Sequence, residues 1–105
     1  MKIGTQFNNG SMRLTCLAFY GTERRNVGLF VRESDGMYIT ARDTFLDRNG
    51  QYSWAWGHYF TDDKIALQNY KTRVVSQKTQ FQQRRERFNI LPSVSKNILK
   101  NRQFL

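Results

Sequence analysis

Cysteine occurs once in this chain, at Cys16, so an internal disulfide is excluded and nothing asks for an oxidising compartment. Histidine also occurs once, at His58, and one His with one Cys falls short of the ligands of an ordinary structural zinc site. There is no Gly-rich phosphate loop, no nucleophile elbow and no Ser/His/Asp ordering. Asp43 and Asp47 stand two strand pairs apart, with Asp35, Asp62 and Asp63 elsewhere, which does not make a two-metal nuclease centre. The chain is therefore expected to be non-enzymatic, with no catalytic residue, metal or cofactor. No apolar run approaches the roughly 20 residues of a membrane-spanning helix. The start, MKIGTQFNNG, lacks the apolar centre of a secretory signal. A cytoplasmic protein with no membrane partner is the expectation.

Acid is the most telling shortage. Residues 71–105 hold nine Lys and Arg against Glu86 alone, a net charge of +8. Residues 1–70 are almost balanced at +1, so nearly all of the overall +9 sits in the C-terminal third. Such asymmetry between halves points to an anionic partner. The length of 105 residues allows one domain with a single modest core. Only 39% of residues are hydrophobic, but 14% are aromatic, so a few large side chains can fill that core.

The first ten residues read as a lead-in or a short edge strand, and Met12 to Tyr20, MRLTCLAFY, as a strand. Residues 21–26 form a turn with an exposed Arg24-Arg25 pair. Val27, Leu29 and Val31 alternate, as do Met37, Ile39 and Ala41. A three-residue loop, Ser34-Asp35-Gly36, brings these two sets onto one face by pairing Val31 with Ile39 and Leu29 with Ala41, with Gly36 left-handed. Asn49-Gly50 predicts a two-residue hairpin turn that pairs Phe45 with Trp54, Ala41 with His58 and Ile39 with Phe60. Tyr52, Trp54, Trp56, His58 and Phe60 then share the face of Ile39 and Ala41. Thr61 is the predicted helix N-cap, with Asp62 and Asp63 in the first turn. An apolar stripe of Leu67, Tyr70, Val74, Phe81 and Phe88 follows, flanked by Ala66, and Pro92 ends the helix. Ser93 or Ser95 caps a last short helix with Val94, Ile98 and Leu99. The expected fold is α+β, a four-stranded antiparallel β-meander followed by one long basic C-terminal helix and a short terminal helix. It is a single domain, with a sheet part over 1–61 and a basic helical part over 62–105.

Lys64, Lys71, Lys78 and Arg85 recur every seven residues, which keeps them near one face of a helix. Arg73, Arg84, Arg87, Lys96, Lys100 and Arg102 add to the set. Rows of Lys and Arg suit a phosphate backbone, whose counterions they displace. The bland alternative is a solvated face, but such a face interleaves Glu with Lys at four-residue spacing, and only Glu86 is present. The row Tyr52, Trp54, Trp56 and Phe60 reads as core under the helix in preference to a platform for unpaired bases, and His58 as a hydrogen-bonded core residue. Tyr38 and Tyr59, on the outer face, are the stacking candidates. The function expected is a small non-enzymatic nucleic-acid-binding accessory protein acting through its cationic C-terminal helix. The alternative is a phage- or mobile-element-type inhibitor or adaptor that binds a host nucleoprotein, such as a defence nuclease complex, and blocks its nucleic-acid or effector surface. Phe81 and Phe88 are candidates for a homodimer contact.

Overall fold

A computed structural model describes residues 1–93, with side chains described over 1–79. Strands β1 (Gln6–Asn9), β2 (Met12–Gly21), β3 (Asn26–Arg32), β4 (Tyr38–Arg42), β5 (Phe45–Leu46), β6 (Tyr52–Ser53) and β7 (Trp56–Phe60) precede helix α1 (Asp63–Ser93). Five strands form an antiparallel sheet in the order β1-β2-β3-β4-β7, and β5-β6 makes a separate two-stranded ribbon. The α+β class and the antiparallel meander stand, with one strand more in the sheet than the sequence predicts. That strand is β1, which pairs Gln6 with Thr15 through Asn9 with Met12. The chain divides into two units at Val74/Val75, and the whole sheet lies in the first.

Both predicted hairpin registers are one residue out. In the first, Arg32 N–H donates to Met37 O at 2.8 Å and Gly36 N–H to Arg32 O at 2.8 Å, so the loop holds four residues. Phe30 therefore pairs with Ile39 and Gly28 with Ala41, while Val31 faces Tyr38. Since side chains alternate across a strand, that single step puts Val27, Leu29 and Val31 on the face opposite Ile39 and Ala41. Asp35 closes the longer loop. Its carboxylate takes two bonds from the Arg32 guanidinium, at 2.6 and 2.9 Å, and a third from Met37 N–H at 3.1 Å. Gly36 is left-handed, φ 71°, as the sequence suggests.

The same thing happens at Asn49-Gly50. Asp47 N–H donates to Gln51 O at 2.7 Å across a three-residue loop, Arg48-Asn49-Gly50, with Gly50 at φ 76°. The Asp47 carboxylate accepts from the N–H groups of Asn49 (2.9 Å) and Gln51 (3.0 Å). Leu46 pairs with Tyr52 and Phe45 with Ser53, and in the sheet Ala41 pairs with Gly57 and Ile39 with Tyr59. Trp56, His58 and Phe60 are thereby moved off the Ile39 face.

The core sits on the Ile39 face and consists of Phe7, Leu14, Cys16, Phe30, Ile39 and Ala41, with Tyr52 of the ribbon and Trp54 just after it packed against it. Phe7 meets the Phe30 ring edge-on at 4.8 Å and the Tyr52 ring at 5.1 Å, and Trp54 lies 5.8 Å from Phe30. Two glycines make room for these rings. A Cβ on Gly28 would collide with the Phe30 ring, and one on Gly57 would come 2.6 Å from the Trp54 indole nitrogen. Tyr52 and Trp54 are half-buried against this core on the Ile39 face, whereas α1 meets the Thr40 face, so they are not the core under the helix that the sequence predicts, and Trp56 is 62% exposed. Strand β3 is buried on both faces, because Val27 and Leu29 are covered as well as Phe30. A buried polar corner ties β3 to the chain after β4. The Asn26 amide donates to Thr22 O (2.8 Å) and Thr44 O (2.9 Å) and accepts from Thr44 N–H (2.8 Å).

The Arg32–Asp35 pair makes the first loop sensitive to acid. The guanidinium beside Asp35 holds its carboxyl at about 2, below the ordinary Asp value of about 3.9. A depressed pKa stabilises the folded state fully above the ordinary value, and that contribution is lost as pH falls through the lowered one. The Asp35 carboxyl is therefore expected to titrate near pH 2 when followed by NMR, and Arg32→Gln to return its midpoint towards about 3.9. An unchanged midpoint in Arg32→Gln would show that the pair does not hold the loop.

Candidate anionic-partner interface

Helix α1 starts one residue later than predicted. Asp62, not Thr61, is the cap, for its Oδ1 accepts from Lys64 N–H (2.8 Å) and Ile65 N–H (3.2 Å). A carboxylate does this better than a hydroxyl, because it also favours the positive end of the helix dipole. Asp63 stands in the first turn as expected.

The face of α1 that meets the sheet is rotated from the predicted stripe. Ala66 is fully buried, and Asn69, Tyr70 and Arg73 are half-buried at the following turns. Leu67, placed in the stripe by the sequence, is 42% exposed, and Ile65 is also exposed. The seam is polar at its centre. Thr40, buried on β4, donates its hydroxyl to Asn69 Oδ1 at 2.6 Å. One guanidinium nitrogen of Arg73 donates to Trp56 O (3.1 Å) and Thr40 O (3.4 Å). Burial lowers the Arg73 pKa, and the neighbouring Arg42 charge lowers it further, yet a guanidinium does not deprotonate in a protein. Arg73 is thus a charged clamp on strand carbonyls and does not belong with the outward cations. The helix register already held that signal, since two residues beyond Lys71 is about 200° around the axis.

Lys64, Lys71 and Lys78 are exposed on α1. Lys64 and Lys71, seven residues apart, differ by only about 20° around the helix axis and lie about 10 Å apart along it. Among the described residues the ion pairs are Arg13 with Glu33 (3.9 Å) and Arg32 with Asp35 (2.6 Å), both on the sheet. Lys64 and Lys71 have no acidic partner there. Arg84, Arg85 and Arg87 occupy positions on α1, but their side chains, with those of Phe81 and Phe88, lie outside the described residues. So do Lys96, Lys100, Arg102 and the predicted short terminal helix. The long helix runs one residue past Pro92, to Ser93.

The stacking pair does not assemble. Tyr38 lies opposite Phe60 and Val31, Tyr59 lies opposite Ile39, and the two rings therefore point to opposite faces of the sheet. Tyr38 is half-buried, and the Arg32 guanidinium sits 5.9 Å from the Tyr59 ring centre. His58 is not the core residue the sequence predicts, because it is exposed on the face opposite Ile39, beside Thr40 and 6.3 Å from the Phe60 ring. No helix among the described residues is long and apolar enough to cross a membrane. Comparison of the chain with protein-family models, with curated proteins and with solved structures finds no match in any of the three.

Proposed function

We propose that this protein is a small non-enzymatic nucleic-acid-binding protein that works through the cationic face of α1. The observation that carries this reading is the exposed row Lys64, Lys71 and Lys78, of which the first two have no acidic partner among the described residues. The row leads into residues 79–105, where six cations stand against one acid. Exposed cations at regular spacing favour a polyanion, whose counterions they release. Without a stacking pair, recognition is electrostatic and follows backbone charge more than base sequence. The test is a titration with duplex DNA and with RNA across salt concentrations. If each of the three lysines neutralises one phosphate, log K should fall against log salt with a slope of at least about 2.7 on duplex DNA. A flat response, or no binding at low salt, overturns the reading.

A second reading keeps the inhibitor or adaptor, with the same helix laid against the acidic or nucleic-acid-facing surface of a host nucleoprotein. What favours it is the large exposed apolar side chain of Trp56 on the edge strand β7, a feature that phosphate binding does not use. Nuclease treatment during co-purification separates the two. A partner that survives digestion supports the adaptor, and loss of everything supports direct nucleic-acid binding.

A further inference from the structure

The sheet has two edges and they are treated differently. Next to β1 lies the ribbon, where Asn9 Nδ2 donates to Tyr52 O at 2.7 Å and Gly10 N–H donates to Gln51 Oε1 at 2.8 Å. Among the described residues no strand pairs with the other side of β7. Antiparallel pairs alternate between bonded and non-bonded, which tells which β7 groups face outward. The bonds from Arg32 N–H to Met37 O and from Asp43 N–H to Asn26 O make the odd-numbered residues of β4 the ones bonded to β3. Tyr38, Thr40 and Arg42 then bond β7, through Phe60, His58 and Trp56. Gly57 and Tyr59 are left with their N–H and C=O groups directed away from the sheet. The strand, WGHYF, has none of the usual guards of an edge, for it carries no lysine, proline or formal charge.

We propose that β7 pairs antiparallel with β7 of a second copy, about a two-fold axis through His58, joining two five-stranded sheets into one. The strand is complementary to itself in this register. Gly57 and Tyr59 of one copy exchange backbone bonds with Tyr59 and Gly57 of the other, so all the outward groups on these residues are satisfied. Each tyrosine ring lies opposite Gly57 of the other copy, where it meets the Trp54 indole that packs over that glycine. Trp56 stands opposite Phe60 of the second copy on the helix side. There a groove of about 380 Å³, lined by Phe60, Lys64, Ile65, Gln68, Asn69 and Thr72, runs beside the edge. An indole entering from the second copy fills that groove and removes a Trp that is 62% exposed from water. The strand carries no formal charge, so the pairing sets no like charges directly opposite each other on β7. This surface meets the lysine row only at Lys64, which lines the groove, and it does not involve Phe81 or Phe88.

The test uses the full chain carrying His58→Cys, freed of nucleic acid with nuclease and held in high salt under mild oxidation. In the proposed register the two copies of residue 58 form a non-bonded pair with Cα atoms about 4.5 Å apart, within the range of about 4.4–6.8 Å that a disulfide spans. Cys16 is buried and leaves residue 58 as the reacting thiol. Tyr59→Cys is the control, since its twin lies diagonally across the pair at about 7–8 Å, beyond that range. The expected result is a crosslinked dimer from His58→Cys and little from Tyr59→Cys. His58→Glu sets two carboxylates opposite each other and is expected to weaken the dimer several-fold in sedimentation without changing the melting temperature. Equal crosslinking of the two cysteine variants overturns the proposal. So does a wild-type chain that stays monomeric at high concentration, which leaves β7 to a foreign strand, or a dimer broken by substituting Phe81 and Phe88 but not by His58→Glu. With nucleic acid absent throughout, failure of the nucleic-acid reading does not affect this outcome.

Discussion

Replacing Lys71, Lys78 and Arg85 together by Glu is expected to abolish nucleic-acid binding at physiological salt while the protein melts as before. Each cation that neutralises a phosphate contributes about 1 kcal/mol at 0.1 M salt through counterion release. Loss of three such contacts weakens binding by roughly a hundred-fold before any repulsion is counted. Reversal adds three negative charges facing the polyanion, so the loss should exceed that of Gln at the same positions. The slope of log K against log salt should fall by about 2.7 on duplex DNA. Stability should hold because Lys71 and Lys78 are exposed on a helix that Glu suits almost as well, and such surface changes are usually within about 0.5 kcal/mol. Arg73→Gln is the counterpart with the opposite outcome. It removes the bonds to Trp56 O and Thr40 O, costs about 1–2 kcal/mol of stability, and leaves affinity nearly unchanged because that guanidinium faces the sheet. Titrations and thermal melts of both proteins decide the matter. A triple variant that unfolds would make these side chains structural, and one that binds normally would move the working surface elsewhere.

The other large effect is in the core. Phe30→Ala is expected to cost about 3–5 kcal/mol, against a total stability of about 5–15 kcal/mol for a domain of this kind. Its ring is fully buried, stands edge-on to Phe7, lies beside Trp54 and occupies the space left by Gly28. Truncation leaves a void bounded by other rings and the sheet backbone, which collapses poorly. Val31→Ala, one residue further on, is expected to cost about 1 kcal/mol or less, because Val31 is only half-buried and points to the other face. Denaturant melts of the two variants therefore read the register of β3 directly. Had Val31 paired with Ile39, as the alternation in the sequence suggests, Val31→Ala would be the more damaging of the two.

The class of fold, the positions of both β3–β4 and β5–β6 turns and the start of α1 to within one residue were legible in the chain. These rest on local chemistry, namely Gly36 and Gly50 at left-handed φ, and a carboxylate at the foot of a helix. The division between a balanced body and a cationic C-terminal third is likewise a property of the sequence alone. Register is not local in this sense. Alternation fixes it when one face of a hairpin is apolar and the other wet, but β3 is covered on both faces, so Val27-Leu29 and Phe30 are equally acceptable as core. The decision fell to Asp35 and Asp47, whose carboxylates capture N–H groups across their loops and lengthen each by one residue beyond the shortest apolar match. Arg73 was decided in the same way. Its charge is written in the sequence, but only the approach of α1 to Thr40 and Trp56 turns that cation inward and leaves Lys64 and Lys71 outside.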